Sequence, residues 1–299
     1  MGPRITKSRM IGVLGKARKP DTVWQRQFDG HEDALRRLAR ADWDTVNAND
    51  LGAYFDDLAY VALQPDLFRH VLPACLNFWY GSLLRSKTSE LCGRDFAFAL
   101  ARSQVMIKLM TDKERPRLNA FFIDGLLDRV DLERGFGKSH QDRSAHATIG
   151  RFNTLGLIAP VIPEIWRAWW AMTTPGQAVS AINYASGLIY LKGENPLFAA
   201  WTPEKGGGGP YLTEWDASIF DRAWLPANHA FLGQTLTPEY LIERLAAAAK
   251  RLKDEPEAAM ARRIADDAAG RRDVIEIRIE DVLRNLAKVQ LEHDWADWR

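Results

Sequence analysis

Two histidines and an aspartate in the segment SHQDRSAH come nearest, by residue type, to a catalytic or metal-binding site. His140 and His146 could bind a metal ion through imidazole nitrogens, and Asp142 could supply a carboxylate ligand or a general base. Histidines that share a metal on one helix stand at positions i and i+4, but these two are six residues apart. We therefore expect a polar surface loop here. The alternative function is a helical enzyme with a small-molecule or metal-dependent pocket near these three residues.

Other catalytic patterns that a sequence can reveal are absent from this chain. There is no G-x-S-x-G, no H-E-x-x-H and no cysteine in a nucleophile signature. The four glycines at 206–209 follow Lys205, but they lack the Lys-Ser/Thr pair that a phosphate loop uses on nucleotide and magnesium. Cys75 and Cys92 lie among apolar neighbours, as small buried residues do. We therefore predict no catalytic residue, no metal and no cofactor, which favours a protein that is not an enzyme.

The longest stretch without helical periodicity runs from Lys192 to Pro238 and combines prolines, glycines, tryptophans and charged residues. A loop of this length is usually functional or disordered, and tryptophans argue against simple disorder. Aromatic residues mixed with charges are typical of protein-binding surfaces. The predicted partner-binding residues are Trp201, Glu204, Lys205, Tyr211, Glu214, Trp215, Asp216 and Trp224.

The overall composition limits the cellular context. The 299 residues carry a net charge of +1, which gives no field to attract nucleic acid or an anionic membrane. No apolar run approaches the roughly 20 residues of a membrane span, and no apolar signal region follows the basic start. Two cysteines give no disulfide framework, which fits a reducing compartment. We predict a cytoplasmic protein with no membrane partner, and we do not expect nucleic acid as a partner.

The most regular apolar spacing in the chain lies between Leu51 and Arg85. Steps of three and four residues predict a helix that ends near Gln64, because a residue before proline avoids the α region. Pro65 suits the first turn of the next helix, and Pro73 is expected either to kink that helix or to restart it.

Helical spacing also dominates the rest of the chain, including the stretches 31–41, 95–110 and 114–133 and the helices that begin near Pro175 and Thr237. The stretch from Asp273 to Trp298 is ambiguous at its start, where isoleucines alternate as in a strand, but a longer helical stripe favours a helix. We predict an all-α fold: a multi-helix globular bundle with one long irregular loop and little or no β-structure.

Four regions follow from these patterns. We predict a basic, flexible tail at 1–20, a main helical body at 21–192, a Trp/Gly/Pro-rich loop at 193–236, and C-terminal helices at 237–299 that pack on the body.

The string QPDLFRHVLPA from Gln64 to Ala74 resembles a pattern in bacterial immunity-type helical proteins: proline, acid, aromatic, base, then Leu-Pro-Ala. Such proteins neutralise a partner toxin in interbacterial competition. The resemblance implies a helical fold and a cognate protein toxin as partner, and it assigns no functional residue. With the aromatic loop, it leads us to expect a cytoplasmic immunity protein that occludes its toxin.

Overall fold

The computed structural model of the protein describes residues 3–15, 17–58, 60–85, 91–102, 104–136, 144–190, 194–199 and 224–288. Every regular element in these ranges is helical, which confirms the predicted all-α fold. The chain divides into two compact units, one formed by residues up to Gly125 and the other beginning at Leu126. In the predicted loop at 193–236, residues 200–223 lie outside the described ranges, and the described parts include two short helices, Pro196–Ala199 and His229–Thr235.

The first unit contains seven helices in the described ranges, the last of which runs past the boundary. They are α1 (Lys7–Gly12), α2 (Glu32–Arg40), α3 (Ala48–Leu58), α4 (Pro65–Arg85), α5 (Leu91–Arg102), α6 (Val105–Lys108) and α7 (Arg115–Asp131).

Helix α4 supplies much of the apolar core of the first unit. It starts at Pro65 as expected, and it continues through Pro73 as one element rather than restarting there. Trp79 packs on Phe121 and Phe122 of α7, with ring centroids 5.7 and 5.3 Å apart. A side chain at Gly125 would meet the Trp79 ring at 2.8 Å, so the indole fits against α7 only because that residue is glycine.

The basic segment at the N-terminus differs from the flexible tail that we predicted. Ile5, Met10 and Val13 are buried, the first just before α1 and the last just after it. Arg9 forms an ion pair with Asp124 of α7. Apolar side chains between the basic residues therefore attach this segment to the first unit.

The second unit contains the end of α7 and eight further helices in the described ranges. They are α8 (Ala145–Thr154), α9 (Ile162–Trp170), α10 (Pro175–Ile189), α11 (Pro196–Ala199), α12 (His229–Thr235), α13 (Pro238–Arg251), α14 (Ala258–Gly270) and α15 (Arg272–Lys288).

Helix α10 is the central helix of the second unit, since every residue from Gly176 to Ile189 is buried. Thr174 caps its start, where the hydroxyl oxygen accepts a hydrogen bond from the Gln177 N–H at 3.2 Å. A Cβ atom at Gly176 would lie 2.2 Å from the Asp131 carbonyl oxygen at the end of α7. The two backbones therefore approach so closely that only glycine fits.

The ambiguous C-terminal stretch is helical, as the longer apolar stripe predicted. Ile275 and Ile279 of α15 are buried, whereas Ile277 between them is 58% exposed. None of the helices that the structure describes has both the length and the apolar character needed to cross a membrane.

Candidate functional site

The second unit is built around an aromatic cluster, which we define as Trp166, Trp169, Trp170, Tyr184 and Trp224. The spacing i, i+3, i+4 places the three tryptophans of α9 on one side of that helix, and all five rings are buried. Trp166 stacks on Trp170 with ring centroids 4.8 Å apart, and its ring meets that of Tyr184 edge to face at 5.4 Å. Contacts this close fill the space between the rings, so the cluster is core rather than the wall of an open pocket.

Hydrogen bonds fix the polar edges of this cluster. The indole N–H of Trp166 donates to the Tyr240 hydroxyl at 2.9 Å, and that of Trp169 donates to the Gln177 carbonyl at 3.3 Å. Burial raises the pKa of Tyr184 and of Tyr240 above the ordinary phenol value, so both hydroxyls stay protonated. The cluster is thus a rigid, neutral support.

Trp224 is the predicted partner-binding residue that the structure describes, and the structure corrects its role. Its side chain is 6% exposed, and its ring lies 5.9 Å from Trp166 and 6.4 Å from Tyr184. A large apolar ring gains more from this packing than from exposure to water. Trp224 is therefore a packing residue rather than a contact residue.

The chain that follows Trp224 is also held firmly. The Asn228 side chain accepts a hydrogen bond from the Leu225 N–H at 3.4 Å and donates to the Ala159 carbonyl at 3.1 Å. Trp224 and Asn228 together fix the point at which the chain leaves the 200–223 segment.

The entry to the same segment is anchored by different chemistry. The buried Asn195 amide donates to the Ser186 hydroxyl of α10 at 3.1 Å and accepts from the Leu197 N–H at 3.0 Å. Beside it, Glu194 forms a 2.8 Å ion pair with Arg271. The second unit therefore holds the chain on both sides of the 200–223 segment.

The other seven predicted partner-binding residues fall within that segment and outside the described residues. They are Trp201, Glu204, Lys205, Tyr211, Glu214, Trp215 and Asp216. Their role stays a prediction, and the structure contributes the two anchors that flank them.

The alternative site near the histidines is described in part, because His140 and Asp142 lie outside the described residues. His146 is buried on α8, with Nε2 3.3 Å from the Ser144 hydroxyl and its ring 6.0 Å from that of Tyr184. It occupies the core rather than a surface loop. In the part of the chain that the structure describes, no group of three or more His, Cys, Asp or Glu side chains could hold a metal ion.

Helix α8, which carries His146, is held by a buried charge pair. Glu133 accepts a hydrogen bond from the Ala145 N–H at 3.1 Å and pairs with Arg129 at 2.7 Å. A carboxylate suits the N-terminus of a helix because the free N–H groups and the helix dipole both favour negative charge. This arrangement accounts for the buried acid as a helix cap.

The first unit presents an exposed aromatic surface that the sequence patterns did not identify. We define it as Trp24, Phe28 and Tyr60, which are 54%, 40% and 59% exposed. The rings of Phe28 and Tyr60 meet edge to face at 5.8 Å. Trp24 and Phe28 lie in a stretch without helical periodicity, and Tyr60 follows the end of α3, so no apolar spacing brings the three residues together in the sequence.

The backbone beneath this aromatic surface is tied down by side chains from the start of α4 and the end of α3. The buried Gln64 amide accepts from the Trp24 N–H at 3.0 Å and donates to the Thr22 carbonyl at 2.8 Å. The Gln64 N–H in turn donates to the Gln25 side chain at 2.8 Å, and the Asp57 carboxylate accepts from the Gln27 N–H. An irregular segment is thereby fixed in place.

A cleft of about 500 Å³ also opens in the first unit, between the end of α2 and the start of α3. Its charged groups already satisfy each other, because Arg37 donates to both carboxylate oxygens of Asp50 at 3.0 and 2.6 Å. A ligand would have to break this two-point pair, so the cleft is a weaker candidate than the aromatic surface.

Comparison with known proteins does not place the chain in a family. No protein-family model matches it, and the searches of curated proteins and of solved structures found no similar chain. Its function is therefore argued from its own residues.

Proposed function

We propose that this chain is a protein-binding protein of the immunity type, which neutralises a partner bacterial toxin by occluding it in the cytoplasm. The observation that carries the proposal is the anchoring of the 200–223 segment, by Asn195 before it and by Trp224 after it. The resemblance of the stretch from Gln64 to Ala74 to immunity-type helical proteins points to the same class.

A segment that is anchored at both ends can bind a partner with higher affinity than a segment with free ends. A rigid scaffold that fixes both ends of a loop reduces the conformational entropy lost when the loop binds a partner. Functional residues are concentrated on loops held in this way. The composition also suits the role, because Trp201, Tyr211 and Trp215 are the kinds of side chain that dominate binding energy at interfaces.

The protein encoded by the adjacent gene is the partner to test first. We expect it to arrest growth when expressed alone, to be tolerated when this chain is co-expressed, and to co-purify with it. The idea fails if that protein is neither toxic nor bound.

Substitutions then test the segment itself. Tyr211→Ala and Trp215→Ala should each weaken binding of the adjacent gene product by at least about tenfold, as loss of an aromatic hot spot does. The matched control is Ile277→Ala, which truncates an exposed apolar side chain of the same unit and should leave binding unchanged. Equal affinities for all three variants would exclude the segment as the contact surface.

A further inference from the structure

We infer that the aromatic surface of the first unit, Trp24, Phe28 and Tyr60, is a separate docking surface whose occupant is a basic segment of a partner protein. The inference goes beyond the proposed function, because it concerns another unit of the chain and does not depend on the 200–223 segment.

The first argument is exposure on a fixed backbone. A single exposed apolar side chain needs no explanation, but adjoining exposed rings mark a binding surface, and the exposed rings of Phe28 and Tyr60 lie 5.8 Å apart. The hydrogen bonds of Gln64, Gln25 and Asp57 keep the backbone in the position that exposes them. A surface whose conformation is already set loses little entropy on binding.

The second argument is charge. Residues 21–34 and 56–66, which include this surface, contain seven acids and a single Lys or Arg, in a chain with 39 acids and 40 bases overall. The acids are Asp21, Asp29, Glu32, Asp33, Asp56, Asp57 and Asp66, and the base is Arg26. Glu32 pairs with Arg26 and with Arg36, and Asp21 pairs with Arg18, so part of this acidity is neutralised by neighbouring bases. The net charge of +1 thus conceals a region in which exposed acids outnumber bases.

Part of this negative charge is available to a partner. Asp29 and Asp56 are exposed, and neither forms an ion pair within the described part of the chain. Asp29 directly follows Phe28 in the sequence, and Asp56 precedes Tyr60 by four residues. Carboxylates beside exposed rings suit a guanidinium or ammonium group, which can stack on the ring and donate hydrogen bonds to the acid.

Charge also selects among the possible occupants. A second copy of this chain would bring two acidic regions together, and nucleic acid or an anionic membrane would be repelled in the same way. A basic protein segment is the occupant that gains from both the aromatic rings and the acids.

The test uses the full chain and a short peptide of alternating arginine and glycine, with binding measured by calorimetry. We expect saturable binding that weakens between about 50 and 200 mM salt, as interactions between opposite charges do. Phe28→Ala combined with Tyr60→Ala should weaken it at least about tenfold. Asp29→Asn combined with Asp56→Asn should weaken it and flatten its salt dependence.

Matched controls separate the surface from general effects. Ile107→Ala truncates an exposed apolar side chain of the same unit, and Asp266→Asn neutralises an exposed acid of the other unit. Both should bind the peptide as the unchanged protein does. The altered side chains are exposed, and circular dichroism would verify that each variant is folded.

Three results would overturn the inference. They are equal binding by the surface variants and the controls, equal binding of a glutamate-glycine peptide, and a dimer in sedimentation that Phe28→Ala dissociates, which would assign the surface to a second copy. The proposed function is tested separately, because Trp215→Ala should leave peptide binding unchanged while it weakens binding of the adjacent gene product.

Discussion

The two units use the same residue types in opposite ways. In the second unit, tryptophan and tyrosine rings of the aromatic cluster are buried against one another, with Trp169 and Trp170 each 2% exposed. In the first unit, Trp24, Phe28 and Tyr60 keep about half of their area in water.

The difference lies in what fixes each group of rings. The rings of α9 and α10 are positioned by helix geometry and by their mutual packing, so they stabilise the fold directly. The exposed rings are positioned by polar side chains that hydrogen-bond to the nearby backbone. The main one is the Gln64 side chain, which binds the Trp24 N–H and the Thr22 carbonyl. Burial of rings therefore serves stability in one unit, and a polar framework keeps rings exposed to solvent in the other.

The largest expected difference in stability is between removal of a buried ring and removal of an exposed ring. Trp169→Ala is expected to lower the free energy of unfolding by about 3–5 kcal/mol, because it leaves a cavity in the buried cluster. Trp24→Ala should change it by no more than about 0.5 kcal/mol. Urea denaturation measures both, and similar losses would remove the contrast between the groups.

Close backbone packing behind the cluster gives the next effect. Gly176→Ala should destabilise the protein by about 1–3 kcal/mol, since the added Cβ atom would overlap the Asp131 carbonyl. Gly52→Ala is the control, because nothing lies within 4 Å of its Cβ position on α3. That change should stabilise the helix by up to about 1 kcal/mol. Thermal unfolding of the two variants should therefore shift in opposite directions.

The polar framework of the first unit can be tested at Gln64. Gln64→Ala removes the acceptor of the Trp24 N–H and the donor to the Thr22 carbonyl, and should cost about 1–3 kcal/mol. It should also weaken binding of the arginine-glycine peptide, because the rings lose their support. Gln27→Ala, at an exposed side chain, should do neither. Loss of stability with unchanged peptide binding would show that the framework does not position the rings.

The smallest effect should be a change in unfolding free energy with pH, which an ionised side chain such as Glu114 contributes and an apolar ring does not. Burial tends to raise the pKa of Glu114, but hydrogen bonds from Thr111 and the ion pair with Arg69 outweigh it, so the pKa is lowered overall. A depressed pKa adds stability that is complete above the ordinary value of 4.5 and is lost as pH falls through the folded-state pKa.

The difference in unfolding free energy between the unchanged protein and Glu114→Gln should therefore shrink as pH falls below 4.5. Urea titrations over a pH series measure it. Glu276→Gln replaces an exposed acid of α15 and is the control for the substitution itself. A constant difference for Glu114→Gln would mean that its contribution is not ionic.

The helical architecture could be predicted because it depends on local spacing. The apolar stripe that begins at Leu51, the start of α4 at Pro65 and the choice of helix over strand at Ile275 were all readable from residues within a few turns. The boundary at Gly125 could not be predicted, because it falls inside the continuous pattern of α7.

The sites depend on contacts between distant positions, and these were missed. Gln64 binds backbone groups about 40 residues away, and Trp224 packs on Trp166 from the far side of the 200–223 segment. Composition alone predicted Trp224 as a partner-binding residue and did not select Trp24. Exposure is decided by which neighbours the fold supplies, and spacing along the chain does not reveal them.

The anchors at Asn195 and Trp224 also have a consequence for the evolution of the sequence between them. Loop closure costs only about 0.6 kcal/mol for each doubling of loop length, so a change of length between two fixed points is tolerated at small cost. On the proposed function, the 200–223 segment is the part of the chain that would vary with the toxin, and Asn195 and Trp224 are the residues that would stay the same.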